Sequence, residues 1–216
     1  MTFEHLTNRA RSFIGAHGVR ADAGPVVEEL RQPWLDHGVP AAVVDRMAAY
    51  QRRWGGLVLP PSPVYDGGPK QLCADLPDNS HAEGWSFEAG PQRTALPYGF
   101  WIGPSGEFAI DGDHWAPLHA SIEGWVEALA LAHHAASWAR QITKVTGEDV
   151  DAIDLTGFEP VPEVRGLADT WWRGPDSLIA VHTGEAVALS WPRGRTAWIY
   201  SGLDNWGLHG GVPDDD

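Results

Sequence analysis

The chain is short of cysteine, short of lysine and without a long apolar run, and each shortage removes a class of protein. One of its 216 residues is a cysteine, Cys73, so no disulfide can close within it. A reducing, cytoplasmic compartment is expected from that usage. No apolar stretch reaches the roughly 18–20 residues that span a bilayer. The opening residues MTFEHLTNRARSF carry charge throughout and lack the apolar centre of a secretory signal. Lysine occurs only at Lys70 and Lys144, and the 15 Lys and Arg are outnumbered by 29 Asp and Glu. The resulting net charge of −14 argues against nucleic acid and against an anionic membrane surface, both of which require the opposite sign. The same charge attracts and steers a basic protein.

What is present is unevenly placed. From Asp75 to Glu163, fifteen acidic residues stand against three basic ones, Arg93, Arg140 and Lys144. A hydrophobic content of 43% allows a sizeable core, and twelve tryptophans are several times the usual number. Buried, those rings fill a core; exposed, they mark a binding surface.

Periodicity organises the chain into helices, a hairpin and a late run of strands. Phe3, Leu6, Ala10, Phe13 and Ile14 share a helical face, with Thr2 as a possible cap. GPVVEELRQPW places Pro25 at a helix start, and VPAAVVDRMAAYQRRWGG makes a third helix on which Val43, Met47, Tyr50 and Trp54 align. Gly55 then stands where a left-handed C-terminal cap wants glycine, and LVL continues as a strand. Residues 61–97 read as loop, with Trp85-Ser86-Phe87 as one hidden strand. Tyr98–Ile102 and Glu107–Ile110 flank the turn Gly103-Pro104-Ser105-Gly106 as a hairpin. A helix of about 24 residues is predicted from Ser121 onward, with Arg140 and Lys144 favouring its negative end. Residues 147–163 read as a linker or surface excursion. SLIAVH, AVALSW and TAWIY read as a three-stranded meander with turns at Thr183-Gly184 and Arg193-Gly194, followed by a frayed tail. These elements predict an α+β fold with a mainly antiparallel sheet packed against helices. A division into residues 1–146 and a β-rich C-terminal extension, 147–216, packed on the same core, is expected.

Catalytic motifs are scarce. His133 and His134 are adjacent on a helix and point about 100° apart, so they cannot grip one ion from one face. There is no G-x-S-x-G elbow, Cys73 has no nearby histidine in sequence, and no Lys-Ser/Thr follows the glycine turns as a phosphate cradle requires. Arg52 and Arg53 could hold an anion, but cations at a helix C-terminus already answer to the macrodipole. One cluster merits attention: Asp111, Asp113, His114 and His119 in DGDHWAPLH carry oxygen and imidazole donors. A small metal- or ligand-dependent hydrolase built on it is the alternative reading, although no second cluster completes a metal shell.

The segment GVPAAVVDRMAAYQRRWGG, the strand LVLP, the hairpin YGFWIGPSGEFAI and the helix LHASIEGWVEALALA together resemble the SUKH superfamily, immunity proteins of bacterial polymorphic toxin systems. The likeness covers about half the chain, from Pro40 to Val145, and departs from the family pattern in the long middle loop and the C-terminal meander. It implies an acidic α+β protein that carries no catalytic residues; no cofactor and no metal are expected. Such a protein binds and neutralises a cognate toxin, often a nuclease. Gly55-Gly56 becomes a structural corner on this reading. Because a toxin acting on nucleic acid is basic at its cleft, an acidic inhibitor can imitate the phosphate backbone. The contact residues expected are Asp75, Asp78, Glu83, Glu88, Asp111 and Asp113, in the loop and at the hairpin edge, where binding residues concentrate. A scaffold without a toxin partner is a third reading.

Overall fold

A computed structural model describes residues 3–23, 27–80 and 84–210. Three helices come first, α1 (Asn8–His17), α2 (Val27–Asp36) and α3 (Ala41–Trp54). Two short strands, β1 (Val19–Arg20) and β2 (Leu57–Val58), pair between them. Thr7 is the N-cap of α1, its hydroxyl accepting from Ala10 N–H. The expected cap, Thr2, and the expected helix-start Pro25 lie outside the described residues.

The corner after α3 needs both of its glycines, in roles different from those expected. Gly55 is not left-handed (φ −51°), whereas Gly56 is (φ +78°). A Cβ on Gly55 would come within 2.4 Å of the Gln51 carbonyl oxygen, and one on Gly56 within 2.3 Å of that of Ala21. Close backbone approach fixes the first residue, and backbone conformation together with close approach fixes the second.

Five strands then build an antiparallel sheet in sequence order: β3 (Asp75–Asp78), β4 (Ser86–Gly90), β5 (Gly99–Ile102), β6 (Phe108–Asp111) and β7 (Trp115–His119). The hairpin and the Trp85-Ser86-Phe87 strand fall where the sequence puts them. The inner face, with Phe87, Phe100, Ile102, Phe108, Ile110 and Leu118 buried, packs against α3 and the next helix, α4 (Ile122–Trp138). Ser121 caps α4, accepting from Gly124 N–H at 3.4 Å.

This helix is shorter than the sequence predicts. Arg140 and Lys144 do not lie in its last turn, because Gln141–Thr146 forms strand β8. The remaining elements are β9 (Glu159–Pro160), β10 (Asp169–Arg173), β11 (Ser177–His182), a short helix α5 (Gly184–Ala188), β12 (Thr196–Ser201) and α6 (Asn205–His209). They complete a second antiparallel sheet of order β8-β12-β11-β10-β9, which draws its edge strand from chain before residue 147 and the rest from chain after it.

Three local expectations are corrected. AVALSW is α5 and a turn rather than a strand, and the strand beside β11 is the unexpected DTWWR of β10. Residues 205–209 are helical, capped by Asp204 and anchored by buried Leu208, rather than frayed. The 147–163 segment is pinned to the fold at buried Val150 and Val161 rather than being a free linker.

The result is α+β: α4 lies between the two sheets and is apolar on both flanks. Trp125, Val126 and Leu129 join the core of the first sheet. Ala128, Leu131, Ala132 and Ala135 join a second core with Trp171, Leu178, Ala180 and Tyr200. A fully buried side chain of the size of Leu131 stabilises by roughly 1.5–3 kcal/mol. Among the described residues no helix is long and apolar enough to cross a membrane.

Candidate functional site: the outer face of the first sheet

Residues alternate faces along a strand, and directly opposed residues share a face. With the inner face apolar, the outer face collects the residues between. Register places Asp75 opposite Glu88, Glu88 opposite Trp101, and Asp78 opposite Ser86. One row along, Asp111 stands opposite Gly99 and Trp115. Four of the expected contact residues, Asp75, Asp78, Glu88 and Asp111, therefore share one sheet face with half-exposed Trp101 and Trp115. Asp113 is exposed in the turn leading into β7, at the rim of that face. Glu83 lies outside the described residues.

One edge of this face is electrostatically frustrated. Asp75 and Glu88 are cross-strand partners with like charge, an arrangement that destabilises a sheet. Among the described residues no Lys or Arg pairs with either one; Asp75 accepts only from Leu76 N–H, at 2.9 Å. Burial, then the neighbouring Asp75, pushes the Glu88 carboxyl above its ordinary pKa. Burial together with Asp75 and Glu88 does the same to the Cys73 thiol. Replacing Glu88 by Gln removes the repulsion and keeps the shape. Glu88→Gln is expected to raise stability by about 0.5 kcal/mol at neutral pH, read from the urea midpoint. A loss of stability would mean that the carboxylate holds a structural bond instead. The advantage of the variant should shrink as pH falls through the raised pKa of Glu88, because the wild type then sheds the charge by protonation.

The edge strand β3 carries Asp75, Pro77 and Asp78, which also deters pairing with a foreign strand. That role does not require Glu88, Asp111 or the two tryptophans one to four strands inward.

In the cleft beside α1 and α4 the charges are internally matched. This cleft, of about 600 Å³, is lined by Glu123, Glu127, Glu163 and Arg165 among others. Arg53 pairs with Glu123 at 2.8 Å, and Arg9 and Arg173 pair with Glu163 at 3.0 and 3.3 Å. Glu127 accepts from Thr7 N–H at 2.6 Å and its hydroxyl at 2.8 Å, with Arg9 3.7 Å away. Arg52 pairs with Glu28 at 3.6 Å, so Arg52 and Arg53 both have partners within the fold.

The alternative cluster of Asp111, Asp113, His114 and His119 does not assemble. His119 is 1% exposed at the far end of β7 and on the inner face, whereas Asp111 is on the outer face at the near end. A bulge between Phe108 and Ala109 brings His119 round beside the buried Phe108. Among the described residues no group of three His, Cys, Asp or Glu is placed to hold a metal ion.

His119 instead borders a polar network that sequence reading missed. Asp169, wholly buried, lies opposite His182 on β10–β11. His182 Nδ1 donates to its carboxylate at 2.9 Å, and the Tyr65 hydroxyl lies 2.7 and 2.8 Å from the two oxygens. Thr183 and Gly184 N–H add contacts at 3.2 and 3.4 Å. Burial pushes the Asp169 carboxyl up, but His182, His119 and Tyr65 outweigh it and hold the group below its ordinary range. Burial drives the His119 imidazole down to about 4. The only trace in the sequence is one aspartate and one histidine at inward-facing positions of two strands.

Fold and surface thus define an α+β protein with an acidic, tryptophan-bearing sheet face and a fully enclosed polar network. The chain matches no protein-family model, no curated protein and no solved structure.

Proposed function

We propose that this is a cytoplasmic immunity protein of the SUKH type, which binds a cognate toxin and neutralises it by occlusion, without catalysis. The observation that carries the proposal is the Asp75–Glu88 couple, with which no Lys or Arg among the described residues pairs, on an outer sheet face that also carries Asp78, Asp111, Trp101 and Trp115, with Asp113 at its rim. A fold tolerates such repulsion at low cost if a cation from a partner completes the site. Aromatic rings beside it supply the contact area that interface hot spots use. A basic nuclease, or another enzyme directed at nucleic acid or nucleotides, has the complementary charge. Acidic steering would raise the association rate and fall with salt.

The test is co-expression with the product of the adjacent open reading frame. Growth should be rescued and a complex should survive size exclusion. Asp75→Asn with Glu88→Gln should weaken that complex about tenfold, a loss of about 1.4 kcal/mol, and should flatten its salt dependence. Equal affinity of the double variant at every salt concentration would remove this face from the proposal.

A further inference from the structure

Two buried imidazoles confront one small void between the sheets. His119 and His182 both line a cavity of about 10 Å³, together with Ser62, Pro63, Trp125, Ala128, Leu129, Ala132 and Trp171. In each ring Nε2 is buried and has no hydrogen-bond partner. The other nitrogen of each ring is fixed by a group that can only accept. His119 Nδ1 lies 3.1 Å from the Val164 carbonyl oxygen, and His182 Nδ1 lies 2.9 Å from Asp169. Carbonyl and carboxylate oxygens have no hydrogen to give, so Nδ1 carries one in both rings, and in its neutral form each ring presents a bare lone pair at Nε2.

Two acceptors facing one apolar-walled void require an occupant with two donors and the size of the void. We infer that a single ordered water fills this cavity, donating one O–H to His119 Nε2 and the other to His182 Nε2. The volume matches the room one water needs, and the polar partners reach the required two to four. Ser62 supplies the third: its oxygen accepts from Val64 N–H at 3.2 Å, which leaves its hydrogen for the water. A transition-metal ion is the other species that two such lone pairs suit. It fits less well, since a closed zinc site takes four protein donors and only two imidazoles line this void. The water completes a chain from the Val164 carbonyl through His119, His182 and Asp169 to Tyr65. It thereby ties β7 of the first sheet to β10 and β11 of the second.

A crystal structure of the full chain should show one peak about 2.8 Å from both Nε2 atoms, without anomalous signal. In solution, ¹⁵N imidazole shifts should report the Nδ1–H tautomer for both histidines. Magnetisation should also pass from a long-lived water to their ring protons. In His119→Phe the peak should vanish and the transfer to His182 should be lost. An empty cavity, an Nε2–H tautomer on either ring, or an anomalous peak with nitrogen contacts of roughly 2.0–2.1 Å would each overturn the assignment. The wild-type spectra decide the matter even if the variant does not fold.

Discussion

Asp169→Ala is expected to cost about 3–5 kcal/mol, a large part of the roughly 5–15 kcal/mol that holds a domain together. The carboxylate is wholly buried and satisfies the Tyr65 hydroxyl, His182 Nδ1–H and the Thr183 and Gly184 amides at once. Removing it leaves these donors without an acceptor where water cannot reach them, and such orphaned groups cost far more than the bond was worth. Asp169→Asn should recover part of the loss, because the amide oxygen still accepts while its nitrogen meets His182 Nδ1–H donor to donor. Urea unfolding at pH 7 measures both. A loss below about 1 kcal/mol for the alanine variant would mean that these donors find other acceptors once the carboxylate is gone.

Acid should weaken the fold over a defined range. His119 titrates near 4 in the folded protein and near 6.5 when unfolded. Between those values the unfolded state binds more protons, so stability rises with pH. Its contribution is complete above about 6.5, and it is lost progressively until the folded group protonates near 4. The full span is about 3 kcal/mol. The groups facing the ring are Asp169, which favours its protonation, and His182, which opposes it; Tyr65 reaches it through Asp169. Glu127, whose carboxyl is raised by burial that Thr7 and Arg9 only partly offset, works in the opposite direction in the same range. The informative quantity is therefore the difference between wild type and His119→Phe. Urea midpoints followed from pH 7 to pH 4 should fall more steeply in the wild type; parallel curves would show that His119 is not the titrating group.

Locally encoded features were legible in the sequence. The hairpin turn Gly103-Pro104-Ser105-Gly106 and the Ser121 cap of α4 are written in a few adjacent residues. The end of α4 was not, because QITKVT satisfies two periods at once: Ile142 and Val145 extend the helical stripe, yet the β-branched residues also suit a strand. Pairing with β12 decides in favour of the strand. AVALSW fails the other way, as Glu185 and its alanines favour the helix it forms. The acidic residues of the outer face were recognisable by type and charge. Their assembly was not, because β3 contains Pro77 and depends on pairing with β4. The Asp169–His182 couple was hidden for the same reason. Cross-strand register, which no short window of sequence holds, makes it a site.

The position of α4, bare of polar cover on either flank, bears on the order in which the protein folds. Whichever sheet condenses first leaves one flank of the helix wet, and β8 must wait for β12, its distant partner in the chain, before the second flank is covered. Contacts of such long sequence separation close slowly. An early collapsed species would therefore display the Leu131, Ala132 and Ala135 stripe to its surroundings, and refolding yield should decline as protein concentration rises.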